Sequence, residues 1–127
     1  MSIIRVVMAD DHEIFRDGFK LMLSRNTDIQ LVGEAENGRA LLELVGKHSP
    51  DVVVTDIKMP VMDGIEATRK IKSKFPAVGI IGLSMFDDDD LIIEMLEAGA
   101  FGYLLKNADK DEVAAAIKTV FAGEYYY

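Results

Sequence analysis

Four short apolar segments of the sequence each end in residues that could take part in polar chemistry. The first ends in Asp10 and Asp11, the third in Asp56, the fourth in Ser84 and the fifth in Lys106. If these segments are parallel strands of one sheet, their carboxyl ends lie along the same edge. The sequence therefore predicts that three acids, a hydroxyl and an ammonium group converge on one shallow pocket.

A pocket with three carboxylates needs a compensating cation. Two carboxylates about 4 Å apart repel by roughly 4 kcal/mol at an effective dielectric near 20, and such groups titrate as a coupled set with raised pKa values. Lys106 offsets only one negative charge. The chain has no cysteine, and its two histidines, His12 and His48, are interpreted as too isolated to form a metal cluster. Hard oxygen ligands therefore predict Mg²⁺, for which Mn²⁺ could substitute.

These residue types suit one reaction in particular. A carboxylate beside Mg²⁺ can act as a nucleophile towards phosphorus. The cation and Lys106 would neutralise the oxygens of the transferred group, and the Ser84 hydroxyl would donate a hydrogen bond to it. The set predicts phosphoryl transfer onto Asp56.

Each residue also has a purely structural explanation. Asp10 and Asp11 could cap the following helix, and Asp56 could form a turn before Pro60. Ser84 could begin a helix, and Lys106 could be a solvated strand end. Each explanation is the better one for a single residue, but their occurrence at four strand ends favours a functional site.

Strand-like and helical patterns alternate along the chain. Residues 3–9, 29–35, 52–55, 78–83 and 101–105 are rich in β-forming side chains. Helical spacing of apolar residues lies between them, as in Ile92, Met95 and Leu96. Five strands alternating with five helices predict one α/β domain with a parallel sheet.

Composition excludes several other classes of function. The net charge of -8 disfavours direct binding to nucleic acid and favours partners with basic surfaces. No apolar stretch approaches the roughly 20 residues of a membrane span, and the N-terminal apolar run is too short for a signal peptide. We therefore expect a cytoplasmic protein without membrane association.

Four motifs carry a family resemblance. Residues 7–12 read VMADDH, 56–64 read DIKMPVMDG, 82–84 read GLS and 102–106 read GYLLK. In this order they resemble the receiver domain of two-component response regulators over essentially the whole chain. The resemblance implies a doubly wound, flavodoxin-like sheet of five parallel strands in the order 2-1-3-4-5 with five helices, a strand order that periodicity alone does not supply.

The resemblance also implies roles for individual residues. Asp56 resembles the phosphoacceptor. Asp10 and Asp11 resemble the acids that hold Mg²⁺ beside Asp56, with the backbone carbonyl of Lys58 completing the protein's share of the ligands. The chain would then be a signalling phosphoacceptor rather than an enzyme acting on a separate substrate.

Further positions resemble the groups that respond to the phosphoryl group. Ser84 and Lys106 resemble the residues that grip its oxygens, and Tyr103 resembles the aromatic switch that turns inward as Ser84 moves. Tyr103 could equally be an ordinary half-buried strand tyrosine.

Two departures from the family pattern affect expectations. Asn107 stands where the family often has proline, so the geometry of the Lys106–Asn107 bond is left open. Lys58 and Phe86 occupy positions that tune dephosphorylation in the family. Because a cation and a bulky ring there would hinder water, a long-lived acyl phosphate is predicted.

The last residues suggest a larger protein. Residues 123–127, GEYYY, resemble the close of the receiver in NarL/FixJ-type regulators. Residues 1–127 would then form the receiver, and a helix-turn-helix domain absent from this chain would bind DNA. The partners implied are a sensor histidine kinase and a second receiver copy.

Three alternative functions fit the sequence less well than a phosphoacceptor receiver does. An aspartyl-phosphate hydrolase of the haloacid dehalogenase type needs an acid two residues after its nucleophile, where Lys58 stands. A flavodoxin-like flavin module needs a phosphate loop after the first strand, where Asp10 and Asp11 would repel phosphate. A receiver reduced to an interaction domain is disfavoured by its complete set of acids.

Overall fold

A computed structural model describes residues 2–85 and 88–127. Five strands and five helices alternate along this part of the chain, in the order β1 (Ile4–Ala9), α1 (Glu13–Leu23), β2 (Ile29–Ala35), α2 (Gly38–His48), β3 (Val52–Asp56), α3 (Gly64–Lys74), β4 (Gly79–Ser84), α4 (Asp89–Ala98), β5 (Gly102–Leu105) and α5 (Lys110–Phe121). The predicted alternation is confirmed, and the strand ends differ from the predicted ranges by a residue or so.

The strands form one parallel sheet in the order β2-β1-β3-β4-β5. This confirms the doubly wound, flavodoxin-like order that the family resemblance implied. The central strand β3 is buried at all of its positions, as expected for a parallel strand covered on both faces. The order reverses between β1 and β3, so a crevice opens beyond the carboxyl ends of these two strands.

Alternate side chains of the strands feed two hydrophobic cores. Val6 and Met8 point to the core under α1 and α5, which contains Phe19 and Ile117. The residue between them, Val7, points to the opposite core under α2, α3 and α4. Because both faces of the sheet are covered, polar side chains can gather only at its edges and ends.

Acidic and amide side chains begin most of the helices. Asn37, Asp63, Asp88 and Asp109 each accept a hydrogen bond from a backbone N–H in the first turn of α2, α3, α4 and α5. The N-cap of α1 is His12, which makes no such side-chain bond. Neither Asp10 nor Asp11 occupies the N-cap position of α1, and Asp10 Oδ1 instead accepts the backbone N–H of His12 at 2.8 Å. None of the helices in the described residues is long and apolar enough to cross a membrane.

Candidate functional site

The predicted residues meet in a cleft at the carboxyl edge of the sheet. The cleft has a volume of about 340 Å³, and its lining includes Asp11, Asp56, Ser84 and Lys106. Asp10 lies beside it, fully buried directly after β1. Parallel pairing brings these residues together, because each one is the last residue of a neighbouring strand or lies within two residues of its end.

The Lys106 ammonium group bridges two of the acids. Its Nζ lies 3.0 Å from Asp56 Oδ2, to which it donates a hydrogen bond. It also lies 2.6 Å from Asp10 Oδ2, an ion pair without hydrogen-bond alignment. The Lys106 side chain is only 7% exposed, so the solvated strand end considered from sequence is wrong. The same Nζ lies 4.8 Å from the centre of the Phe15 ring, a cation–π contact.

The pKa values of this pair are shifted by burial and by each other. Burial raises the pKa of the Asp56 carboxyl above its usual value, and the contact with Lys106 offsets this only in part. Burial lowers the pKa of Lys106, but its contacts with Asp10 and Asp56 outweigh burial and leave it raised. The ionised Asp56 carboxylate is thus under-compensated by the protein alone, as expected for a site that takes a further cation.

The prediction that His12 is too isolated to belong to a metal cluster was wrong. Oxygen atoms of Asp10, Asp11 and Asp56 and a ring nitrogen of His12 all lie within 4.8 Å of one another. His12 is therefore a neighbour of the acids, although its isolation in the sequence had excluded it. The three carboxylates fit a divalent cation in charge and in donor type, and the fully buried Asp10 carboxylate adds to the need for one.

Asp56 is held in place by the return of the chain into α3. Gly64 donates its backbone N–H to the carbonyl of Ile57 at 2.8 Å. A Cβ atom at Gly64 would lie 2.1 Å from the carbonyl oxygen of Asp56. Only glycine fits this approach, so Gly64 fixes the end of β3 against the start of α3.

Asp10 is held by a residue that the sequence did not single out. Arg16 donates from its guanidinium to the Asp10 backbone carbonyl at 2.6 Å and to the Glu34 carboxylate at 3.2 Å. Lys20 completes this network, with its Nζ 2.7 Å from Glu34. The contact with Lys20 lowers the pKa of Glu34, and Arg16 adds to the effect. No sequence pattern marks Arg16 as part of the site. Its partners belong to other elements, since Asp10 follows β1 and Glu34 lies in β2.

Ser84 and Tyr103 lie on the neighbouring strands β4 and β5. Ser84 is buried at the end of β4, and its carbonyl accepts the Lys106 backbone N–H at 2.8 Å. Tyr103 is half-buried on the edge strand β5, opposite Gly82 of β4. The backbone N–H of Tyr103 donates to the carbonyl of Tyr126 at 3.3 Å. The switch itself stays a prediction.

The structure describes Asn107 and Lys58, two of the three positions at which the sequence departs from the family pattern or tunes it. No peptide bond among the described residues is cis, so the Lys106–Asn107 bond is trans. Lys58 is exposed and lines the cleft, and its effect on dephosphorylation stays a prediction. The expectation for Phe86 lies outside the described residues.

Fold and site together define a class of protein. Residues 6–118 match the model of the response regulator receiver domain family, and the chain belongs to that family. Receiver domains of response regulators are signalling domains that bind Mg²⁺ at an acidic pocket, and this chain has a cluster of Asp10, Asp11, His12 and Asp56 at the carboxyl edge of its sheet.

Individual relatives place the chain more closely within the family. It is 41% identical over 123 residues to the transcriptional regulatory protein DegU of Brevibacillus brevis, covering 97% of this chain and 52% of the relative. It is 40% identical to the oxygen regulatory protein NreC of Staphylococcus epidermidis, covering 97% of this chain and 57% of the relative. The chain therefore spans about half the length of the curated relatives it matches.

Solved structures agree with this placement. The signal receiver domain of the response regulator NarL from Mycobacterium tuberculosis superposes with a TM-score of 0.93 at 35% identity, covering 98% of this chain and 100% of that one. The isolated receiver domain of RcsB from Salmonella enterica, with the phosphomimetic BeF3-, has a TM-score of 0.88 at 29% identity, covering 98% and 93%. The chain is thus similar to receivers of NarL/LuxR-type regulators.

Proposed function

We propose that this chain accepts a phosphoryl group from a sensor histidine kinase on Asp56, with Mg²⁺ bound by Asp10, Asp11, Asp56 and the carbonyl of Lys58. The observation that carries the proposal is the bridge from Lys106 to Asp10 and Asp56 inside the acidic cleft. A buried lysine held between two acids is already placed beside the oxygens that a phosphoryl group on Asp56 would present.

Transfer of the phosphoryl group from the kinase histidine to Asp56 is a displacement at phosphorus. A carboxylate oxygen of Asp56 attacks phosphorus, the bond from phosphorus to the histidine nitrogen of the kinase breaks, and that nitrogen takes the electron pair. Mg²⁺ held by Asp10, Asp11 and Asp56 would neutralise charge on the transferred oxygens. Lys106 gives up its contact with the modified oxygen of Asp56 and pairs with a phosphoryl oxygen, while Ser84 donates a hydrogen bond to another.

The acyl phosphate would change the structure through Ser84 and Tyr103. Phosphorylation adds up to about two negative charges, which draw Ser84 and Lys106 inward from adjoining strands. Their backbones are joined by a hydrogen bond, so a shift at the end of β4 reaches β5 and Tyr103. We expect the output face to be formed by α4, β5 and α5, which could pair with a second receiver copy.

The wider setting follows from the relatives. Because this chain spans about half the length of DegU- and NreC-type relatives, we propose that it is the receiver of a cytoplasmic transcription regulator. DNA would then be bound by a C-terminal helix-turn-helix domain rather than by residues 1–127.

Intact mass measurement tests the phosphoacceptor role. The wild type, incubated with acetyl phosphate and Mg²⁺, is expected to gain one phosphoryl group, and to gain none when Mg²⁺ is chelated. Asp56→Asn is expected to gain none in either condition. The matched control is Asp111→Asn, which removes an exposed acid in the first turn of α5 and should behave as the wild type. An adduct that persists in Asp56→Asn would refute Asp56 as the acceptor.

A further inference from the structure

A groove of about 650 Å³ lies between α2 and α3, away from the acidic cleft. Its apolar wall includes Leu42 of α2 and the half-buried ring of Phe75, which follows α3. Gly46 of α2 presents no side chain to this ring, and a Cβ atom there would lie 3.8 Å from Phe75 Cζ. The groove can therefore accept an apolar side chain from another molecule, which would be removed from water there.

Basic side chains surround the apolar wall of this groove. Arg69, Lys70 and Lys74 line it from α3, and all three are exposed. The Nζ of Lys74 lies 5.8 Å from the centre of the Phe75 ring. In the described part of the chain, none of these three residues forms an ion pair. Glu43 is the acid among the lining residues, so the groove is positively charged in a chain with a net charge of -8.

The outer face of α4 has the opposite charge. Asp90, Glu94 and Glu97 are exposed there, and α4 contains no basic residue. Helical spacing places Ile93 on the same face as these acids, and its side chain is 50% exposed. Among the residues that the structure describes, none of the three acids forms an ion pair. This face thus presents one apolar side chain among acids, which complements an apolar groove among bases.

The two surfaces can meet only between molecules. Within one chain α4 packs against α3, and α3 packs against α2, so α3 separates α4 from the groove. All three helices cover the same core on one face of the sheet. Two copies related by a two-fold axis can therefore each place α4 in the groove of the other. An interface of this kind pairs the same surface of both copies and closes at the dimer.

We propose that two copies of this chain dock face to face, with Ile93 of each copy in the α2–α3 groove of the other. Burial of Ile93 against Phe75 favours association, and the pairing of acids with bases sets the orientation of the two copies. The contact surfaces are small, so the dimer is weak and transient. The dimer does not depend on the phosphoacceptor role, because both surfaces are present in the unmodified protein.

Sedimentation velocity over a range of protein concentrations tests this dimer with charge-reversal variants of exposed residues. One variant carries Arg69→Glu and Lys70→Glu, and the other carries Glu94→Lys and Glu97→Lys. Each variant has like charges on both surfaces, so its dimer dissociation constant should rise at least about tenfold. In an equimolar mixture, the acidic groove of the first variant faces the basic helix of the second, and the unchanged surfaces also match. The mixture should therefore form a heterodimer.

A matched control reverses two charges on the other side of the sheet. Arg25 and Lys110 are exposed and lie together near α1 and α5. The variant with Arg25→Glu and Lys110→Glu changes the net charge as much as the groove variant does, and it should dimerise as the wild type does. Thermal unfolding verifies that every variant is folded.

Several results of sedimentation would overturn the inference. They are a wild type that stays monomeric at all concentrations, a dimer that persists in either reversed variant, and a mixture that associates no better than its components. Phosphorylation by acetyl phosphate is measured separately. A dimer without an adduct would refute only the phosphoacceptor role, and an adduct without a dimer would refute only the docking of α4 in the groove.

Discussion

At the scale of single residues, Lys106 has two opposed effects on the cleft. It neutralises part of the charge of Asp10 and Asp56, which allows these acids to be buried in the absence of metal. The same positive charge repels a divalent cation from the same carboxylates. Lys106 should therefore weaken Mg²⁺ binding in the resting protein and stabilise the product once Asp56 carries a phosphoryl group.

Replacement of Lys106 by glutamine separates the two effects. We expect Lys106→Gln to bind Mg²⁺ about three- to tenfold more tightly than the wild type, which corresponds to about 0.7–1.4 kcal/mol, because a nearby like charge has been removed. Calorimetric titration measures this directly. Lys70→Gln, which removes an exposed lysine of α3, should change the affinity little. Unchanged or weaker Mg²⁺ binding by Lys106→Gln would contradict the role given to its charge.

At the scale of elements, the site depends on how closely α3 approaches the end of β3. The approach is possible because Gly64 has no side chain against the Asp56 carbonyl. The loop between these elements holds Val61 with a φ of 69°, a left-handed conformation that is unusual for a β-branched residue. Strain in this loop is tolerated where the chain turns back beside Asp56.

Two glycine substitutions should have opposite effects on stability. We expect Gly64→Ala to lower the free energy of unfolding by about 2–4 kcal/mol, because the new methyl group must displace the backbone of Asp56 or α3. Gly18→Ala in α1, where a Cβ meets nothing within 4 Å, should instead raise it by about 0.5–1 kcal/mol. Urea denaturation followed by circular dichroism measures both. A stable Gly64→Ala chain would show that the contact is not tight.

At the scale of the whole molecule, the chain is acidic, and three of its acids lie together at one edge of the sheet. The chain carries a net charge of -8, and the cleft buries Asp10 completely and Asp56 to 7% exposure. Helices cover both faces of the sheet. A ligand can therefore reach the charged side chains at the carboxyl edge of the sheet.

The pH dependence of thermal stability follows from the raised pKa of Asp56. Its folded pKa lies above the ordinary value of 3.8 because burial disfavours the carboxylate. The contribution of Asp56 to the free energy of unfolding is therefore most favourable at low pH, where its carboxyl is protonated. This contribution is lost as the pH rises through the folded pKa. Without Mg²⁺, Asp56→Asn should raise the melting temperature at pH 7.5 by about 4 °C, or about 1 kcal/mol, and by less at pH 4.5.

The control for this measurement removes an ordinary acid. Glu43→Gln lies on an exposed position of α2 and should show no such gain at pH 7.5. Scanning calorimetry at both pH values, with Mg²⁺ chelated, compares the three proteins. A gain for Asp56→Asn that is equal at pH 4.5 and pH 7.5 would mean that its cause is packing rather than ionisation.

The sequence by itself determined the alternation of strands and helices and the reactive residue at each strand end. Hydrophobic periodicity is local, and a parallel sheet places the carboxyl ends of its strands at one edge. The motif around Asp56 indicated the family, and the family resemblance implied the strand order. Periodicity cannot supply this order because it does not specify which strands pair.

Tertiary structure alone decided which side chains touch. The contact of Lys106 with both acids, the network of Arg16 with Asp10 and Glu34, and the approach of His12 to the acid pair join residues of different elements or depend on side-chain direction. A sequence records the types of these residues but not their separations. His12 was excluded from the metal cluster for this reason, because isolation from other histidines in the sequence does not measure distance to carboxylates in space.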